Sequence, residues 1–283
     1  MTPLTLQDVL AHQSAVPWPE LYQVEQDLLL SLAMRAIFED RFLAEQVAMR
    51  GGTVLHKVHL APAARYSEDI DLVAVGDRPE SHITKALTRV LRPVLGTEKS
   101  SAWTFLRLAV RNVAKPSRIL RCIFKVPSVS SPGRELTIEV EANVSERVPK
   151  YELQRLGFEV GFRGQFLRST IVSYNINEML GTKMRALFQR KRGRDLFDLY
   201  WALTSQSALP VSIDEVVDAF RHYMREEETE VSRAEFVTHL RSCIGDRAGF
   251  CTDTYPLLRS GLTYNPQQAG LFVERHVLSR LPE

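Results

Sequence analysis

The chain has 283 residues, 45% of them apolar and 25% charged, with a formal net charge of +2. That apolar share excludes a disordered chain, and the length suits one large domain or two ordinary ones. So small a net charge excludes whole-molecule attraction to nucleic acid or membrane, so any basic surface must be local. Cys122, Cys243 and Cys251 form no CxxC pair and leave an odd count, which fits reduced, buried thiols better than a disulfide framework. The N-terminal MTPLTLQDVLAHQ lacks a basic stretch followed by an apolar one, and no apolar run approaches the roughly 20 residues of a membrane span. A cytoplasmic protein without membrane association is the expectation.

From Pro19, PELYQVEQDLLLSLAMRAIFED sets Leu21, Val24, Leu28, Leu32 and Ile37 at helical spacing, a long amphipathic helix with proline at its first position. QVAMRGG is short and apolar before a double glycine, and TVLHKVHL resumes a helical pattern at Thr53, which predicts strand, tight turn and helix. RYSEDIDLVAV reads as a strand entry. PESHITKALTRVLRPVL carries Ile83, Leu87, Val90 and Val94 on one side and stops near Gly96. WTFLRLAVRN, RILRCIFKVP and ELTIEVEANVSE are rich in β-formers and are separated by AKPS and SVSSPGR, as antiparallel neighbours in a mixed sheet. Beyond Glu146 strand signals thin out. SYNINEMLGTKMRALFQRKR, RDLFDLYWAL, IDEVVDAFRHYM, SRAEFVTHLRSCI and NPQQAGLFVERHVLSRL are successive helical patterns, so the chain is expected to be α+β over residues 1–150 and mainly helical over 151–283.

Alternate residues of a strand share a face, so Asp69 and Asp71 point one way while Ile70 and Leu72 enter the core. Two like charges about 4 Å apart repel by roughly 4 kcal/mol at an effective dielectric near 20. A cation between them would relieve this, and magnesium is the natural one because it prefers oxygen and is held by one or two carboxylates plus substrate phosphates. The bland alternative is a solvated strand end. Upstream, Gly51 and Gly52 allow backbone amides to approach a ligand, and a helix opening at Thr53 offers free N–H groups to phosphate, although a double glycine also serves as a mere tight turn. Lys57, which closes RGGTVLHK, joins these phosphate-binding candidates, as do Arg65 and Ser67 flanking the acidic strand; Tyr66 between them suits the core. His56 and His59 lack the further His or Cys of a zinc pattern. In TIEVEANV, Glu139, Glu141 and Asn143 share a face; one of the two glutamates can complete an acidic cluster that holds a second metal or accepts a proton from an attacking hydroxyl, or all three line a wet strand. Spacing does not choose between the glutamates. Farther on, Lys183, Arg190, Lys191, Arg192 and Arg194 concentrate positive charge, either as a phosphate footprint or as a solvated helix face. Lys183 stands apart, early in an apolar helix beside Leu180 and Leu187. Asp195 and Asp198 are neighbours on the next helix; Asp195 can simply favour the N-terminal dipole, with Asp198 then the better candidate to orient Lys183 or work as a base, and both are kept.

Taken together, RGGTVLHK, RYSEDIDL, the acidic strand VEAN and GTKMRALFQRKRGRDLFDLYWA resemble the AbiEii/AbiGii (MenT-type) nucleotidyltransferase toxin family, a branch of the polymerase-β-like nucleotidyltransferases. The resemblance implies a nucleotidyltransferase-like mixed β-sheet with flanking helices, followed by a helical domain that contributes Lys183 and Asp198 to the cleft. It implies magnesium, with manganese as the alternative, on Asp69 and Asp71; triphosphate against Gly51, Gly52 and Thr53; Lys183 neutralising that triphosphate; Asp198 or Asp195 as the later acid; and Glu141 as the third strand acid. The implied reaction is attack of an RNA 3′-hydroxyl, that of tRNA in several members of the family, on the α-phosphate of a nucleoside triphosphate, with a cognate antitoxin as partner. Two other readings compete: a DxD glycosyltransferase, disfavoured by the helical C-terminal half and the glycine turn, and a binding protein with a decayed site, disfavoured by the retained acids and lysine.

Overall fold

A computed structural model describes residues 4–96, 103–107, 118–205, 210–246 and 249–283. They form two compact units, the first over Met1–Val58, Pro62–Leu108 and Ser117–Tyr174, the second comprising Asn175–Glu283 with His59–Ala61.

In the first unit, helices α1 (Leu6–Gln13), α2 (Leu21–Glu39) and α3 (Arg41–Gln46) precede strand β1 (Val47–Arg50). A short helix α4 (Gly51–Val54) runs into a π-helical turn, Leu55–His59, and is followed by β2 (Asp69–Ala74), α5 (Glu80–Leu95), β3 (Thr104–Arg107), β4 (Arg118–Pro127), β5 (Glu135–Asn143), β6 (Gln154–Phe162) and β7 (Gln165–Ser173). The strands make one mixed sheet in the order β3-β4-β5-β2-β1-β7-β6. The strand expected over WTFLRLAVRN is described only in its first part; its remainder and the following AKPS lie outside the described residues. The expected antiparallel neighbours are present, since β4 pairs with both β3 and β5, while β2 runs parallel to β5.

Two features depart from the sequence reading. The β6–β7 hairpin falls where strand signals were expected to thin out, and it belongs to the first unit because β7 pairs in parallel with β1. Over most of their length its strands alternate between exposed and partly buried positions, and only the end of β7, Ile171–Ser173, is continuously buried. Helix α2 is not simply amphipathic: Gln23 through Met34 are all buried, polar residues included. Burial of Glu25, Gln26 and Asp27 requires partners. Glu25 accepts hydrogen bonds from Ser128 Oγ and the amides of Val129 and Ser130 at 2.8–2.9 Å. Asp27 takes Lys57 Nζ at 2.7 Å, His12 Nε2 at 2.9 Å and the Trp18 indole N–H at 2.8 Å. Although burial opposes ionisation, the charge of Lys57 and the bond to His12 hold the Asp27 carboxyl down at about 2. In α5 the buried stripe is Ile83, Ala86, Leu87, Leu91 and Leu95, with Val90 and Val94 at its margin.

The second unit is helical: α6 (Ile176–Gln189), α7 (Gly193–Thr204), α8 (Ile213–Glu226), α9 (Arg233–Gly245) and α10 (Pro266–His276), with short 3-10 turns at Tyr255–Leu257 and Leu278–Arg280. Gly181 brings α6 against α8 so closely that a Cβ there would lie 2.6 Å from that of Ala219. The three cysteines are free and buried. No helix among the described residues is long and apolar enough to cross a membrane.

The folded pKa of Asp27 lies below its unfolded value, so its stabilisation is present above about pH 4 and is lost as the pH falls toward about 2. Asp27→Asn is expected to cost roughly 3–5 kcal/mol at pH 7, the range for breaking a buried ion pair. Chemical denaturation at pH 7 and pH 3 should show the gap to the parent protein narrowing at the lower pH; an equal gap at both would refute the assignment.

Candidate functional site

The first unit presents the acidic strand beside the glycine turn. Asp69 and Asp71 are half-buried on one face of β2 while Ile70 is fully buried. Glu68 is exposed, apart from the pair. The β1–β2 register sets Arg50 opposite Asp71. Directly after Arg50 the backbone turns at Gly51, whose φ is +87°. L-residues with a side chain rarely adopt that conformation. Space excludes a side chain as well, because a Cβ on Gly51 would stand 1.9 Å from Asp71 Oδ2. The Asp71 carboxylate therefore rests against the Gly51 backbone.

Gly52 is crowded in the same way: a Cβ there would meet Arg65 Nη2 at 2.6 Å and Ser67 Oγ at 3.0 Å. Thr53, fully buried, donates to the Asp69 carbonyl, and its hydroxyl lies 2.9 Å from Ser67 Oγ. Gly52, Thr53, Arg65 and Ser67 thus pack the helix start onto the entry of β2. The helix begins at Gly51 and not at Thr53, and its N-cap residue Arg50, whose guanidinium carries only donors and reaches Glu146, makes no capping bond. Uncapped N–H groups at a helix start suit an anion. Lys57 was grouped with the phosphate-binding candidates, but its ammonium is turned to Asp27 and Ser31 in the core network. Proximity in sequence to the glycine turn did not decide its direction; a buried carboxylate on α2 did. His56 and His59 are buried, and burial pushes His59 down to about 4, which leaves its imidazole neutral near pH 7.

Strand β5 completes the face. Its parallel register with β2 sets Glu139 beside Asp69 and Glu141 beside Asp71. Both glutamates accordingly share the face of the aspartates, and Asn143 instead closes the strand, accepting from the amides of Ser145 and Glu146. Burial, and next the Asp71 charge, push the Glu141 carboxyl up, against the opposing effect of Arg121. Arg121 on β4, directly opposite Glu141, was not singled out from the sequence. Its Nε and Nη2 lie 2.6 and 2.5 Å from Glu141 Oε1, and Nε is 3.4 Å from Glu139 Oε2. Among the described residues no three His, Cys, Asp or Glu side chains gather into a group that could hold a metal ion. A magnesium site needs fewer, because one or two carboxylates suffice when water and substrate phosphates supply the other oxygens. The oxygen donors of Asp69 and Asp71, half-buried and beside a turn open to anions, fit such an ion.

The second unit brings together the other predicted residues. Lys183 Nζ lies 3.2 Å from Asp195 Oδ1 and 2.9 Å from Asp198 Oδ2. Both aspartates are fully buried. Arg190 grips Asp195 through two bonds of 2.8 and 3.0 Å. Burial opposes ionisation of Asp195, yet the Lys183 and Arg190 charges prevail and lower its pKa. Arg190, Lys191 and Arg192 are all exposed, and Arg190 is also half of an ion pair with the buried Asp195. Gly193 opens α7 under close constraint, its N–H donating to Asp253 at 2.9 Å and its Cα facing the Phe250 carbonyl.

A mixed sheet carrying paired acids beside a glycine turn, followed by a helical unit with a buried lysine and two aspartates, defines the nucleotidyltransferase class. A family model described as nucleotidyl transferase AbiEii toxin, type IV TA system, matches residues 32–252, and the chain belongs to this family. It is a nucleotidyltransferase of toxin–antitoxin type, a class that implies a nucleoside triphosphate substrate and an antitoxin partner. The same fold is seen in MenT4, a nucleotidyltransferase toxin from Mycobacterium tuberculosis H37Rv, at a TM-score of 0.60 and 15% identity, with 99% of this chain and 91% of that one covered. A Bradyrhizobium diazoefficiens CD-NTase, CdnG, solved in complex with GTP, aligns over 90% of this chain and 89% of its own at 12% identity and a TM-score of 0.18. No curated protein sequence matches the chain.

Gly51→Ala combines a left-handed φ with a collision against Asp71. It is expected to cost roughly 1–3 kcal/mol for the backbone conformation and more for the contact. Gly133→Ala is the control, having φ +84° and open space. Urea unfolding should show the larger loss at Gly51, and equal losses would remove the crowding. Lys183→Met removes the ammonium shared by two buried carboxylates, leaving Asp195 with Arg190, and should cost roughly 3–5 kcal/mol. Adding Asp198→Asn should recover part of that loss, as read by thermal and urea unfolding; no recovery would mean that the pair is not coupled.

Proposed function

We propose that the protein transfers a nucleotide from a nucleoside triphosphate to the 3′ end of an RNA, with tRNA as the acceptor, that the transfer depends on magnesium, and that it blocks translation in the cytoplasm until an antitoxin opposes it. The observation that carries this reading is the packing of the Asp71 carboxylate against Gly51. It sets a carboxylate suited to a hard cation next to backbone suited to phosphate. A triphosphate needs both.

In this reading Asp69 and Asp71 hold the divalent ion, which when bound supplies positive charge to the triphosphate. The amides of Gly51, Gly52 and Thr53 receive phosphate oxygens, and Ser67 and the buried Arg65 hold that turn against β2. Lys183 takes the role that the resemblance implies for it, neutralising triphosphate, and Asp195 and Asp198 fix its ammonium. The RNA 3′-oxygen forms a bond to the α-phosphorus as the bond to the β-phosphate oxygen breaks. Pyrophosphate leaves, and the hydroxyl proton passes to a carboxylate or to water.

The test is incubation of the purified protein with total RNA and each α-labelled nucleoside triphosphate in turn, with and without magnesium, followed by sizing and sequencing of labelled products. Label is expected at tRNA 3′ ends from one or two nucleotides. Asp69→Asn and Asp71→Asn should reduce incorporation by at least about a hundredfold, the scale of losing a group that stabilises transition-state charge, while circular dichroism shows them folded. Absence of incorporation with every nucleotide, or full activity in both variants, would sink the proposal.

A further inference from the structure

The acidic face carries four carboxylates on two neighbouring strands, paired by register as Asp69 with Glu139 and Asp71 with Glu141. Although no three of them gather round one point, two pairs of carboxylates pose the question of a second divalent ion, as in the two-metal sites that clamp phosphoryl displacement. Arg121 changes that count. From the next strand it directs Nε and Nη2 onto Glu141 Oε1 at 2.6 and 2.5 Å, and its Nε also lies 3.4 Å from Glu139 Oε2. Its side chain is 29% exposed, so the contact is partly shielded from water. A guanidinium is charged at every accessible pH, carries only donors and cannot ligate a metal. A second divalent ion at the β5 glutamates would have to displace this cation or sit against it.

We infer that Arg121 is a fixed counter-cation for Glu139 and Glu141, standing where a second metal ion would otherwise bind, so that the acidic face takes a single divalent ion at Asp69 and Asp71. This rests on the proposed use of those aspartates as the metal pair. Glu141 is then a partner of Arg121 rather than a metal ligand. The positive charge at the β5 side of the site is supplied by the protein and does not vary with the metal concentration. Arg121 is a positioning residue in this scheme: it acts through the two glutamates and keeps their repulsion from the β2 aspartates in check.

The experiment counts bound Mn2+ on the full chain, by electron paramagnetic resonance of the free ion and by calorimetry, without nucleotide. The parent protein is expected to bind one ion, and Asp71→Asn none over the same concentration range. Arg121→Gln should acquire a second site, and Arg121→Gln/Glu141→Gln should lose it again. Arg121→Lys, which keeps a cation, should stay at one. Glu141→Gln alone should retain the single ion with affinity changed less than about tenfold, below even the roughly 10–100-fold that losing an outer-shell partner of a ligand costs. Two ions on the parent protein, one ion on a folded Arg121→Gln, or loss of the ion in Glu141→Gln would each overturn the inference. The last of these holds even if Arg121→Gln fails to fold. Nucleotide transfer is measured separately: an inactive parent protein would count against the proposed reaction, whereas the ion count alone decides the role of Arg121.

Discussion

Repulsion among carboxylates on one face of β2 and β5 is the constraint to which the first unit is built. Parallel pairing of the two strands leaves no choice in the matter, because the register that buries Ile70 against Val140 also aligns Asp71 with Glu141. A one-residue slip would separate the acids only by turning the apolar residues outward. The fold keeps the register and meets the charge locally. Arg121 faces the β5 acids, and the Gly51 turn lies against the β2 acid nearest to it. Each neighbour is fixed by backbone geometry, the first by the antiparallel β4–β5 register and the second by a φ of +87°.

Buried charge elsewhere follows the same rule by a different route. Asp27 has Lys57 and His12, and the Asp195–Asp198 pair has Lys183 and Arg190. In both clusters opposite charges come from nearby helices or turns at hydrogen-bond distance, and desolvation is offset by several contacts at once. The depressed pKa values of Asp27 and Asp195 are the signature of that compensation. Glu141 moves the opposite way, since burial and the Asp71 charge outweigh its arginine. A carboxyl whose folded pKa is raised destabilises the fold above its unfolded value, and that penalty fades as the pH falls and the group protonates. The acidic face is thus the place where the fold accepts an electrostatic cost.

Much of this was legible in the sequence, for reasons that are local. Period-two alternation gave Asp69 and Asp71 one face, a double glycine before a helical pattern gave the turn, and i, i+3 spacing put Asp195 and Asp198 together. The acidic motifs also carried the family resemblance that the match over residues 32–252 bears out. Long-range pairing was not legible. Lys57 looked like a phosphate ligand because its partner, Asp27, lies on α2 and reads as one more polar residue of an amphipathic helix. Arg121 stayed unnoticed because its importance depends on which residue of β5 it opposes. The β6–β7 hairpin was hidden by its exposed face, which replaces the apolar run of a central strand with an alternation of polar and glycine residues. Arg190 looked like part of a basic footprint until Asp195 was seen to hold both its nitrogens.

The contrast between the clusters separates structure from chemistry among these polar residues. A carboxylate surrounded by its own cations, such as Asp27, has its field spent inside the protein and offers little to a ligand. Lys183 is similar in being shared between two aspartates, so its contact with a triphosphate would require the phosphate to compete with, or add to, carboxylates already in place. The β2 acids are arranged otherwise: they are half-buried, and Asp71 lies against backbone that only glycine can provide. A divalent cation bridging them to a phosphate would relieve repulsion on the protein and on the nucleotide together. The same residues that make the face costly to fold therefore make it selective for a ligand that shares the metal.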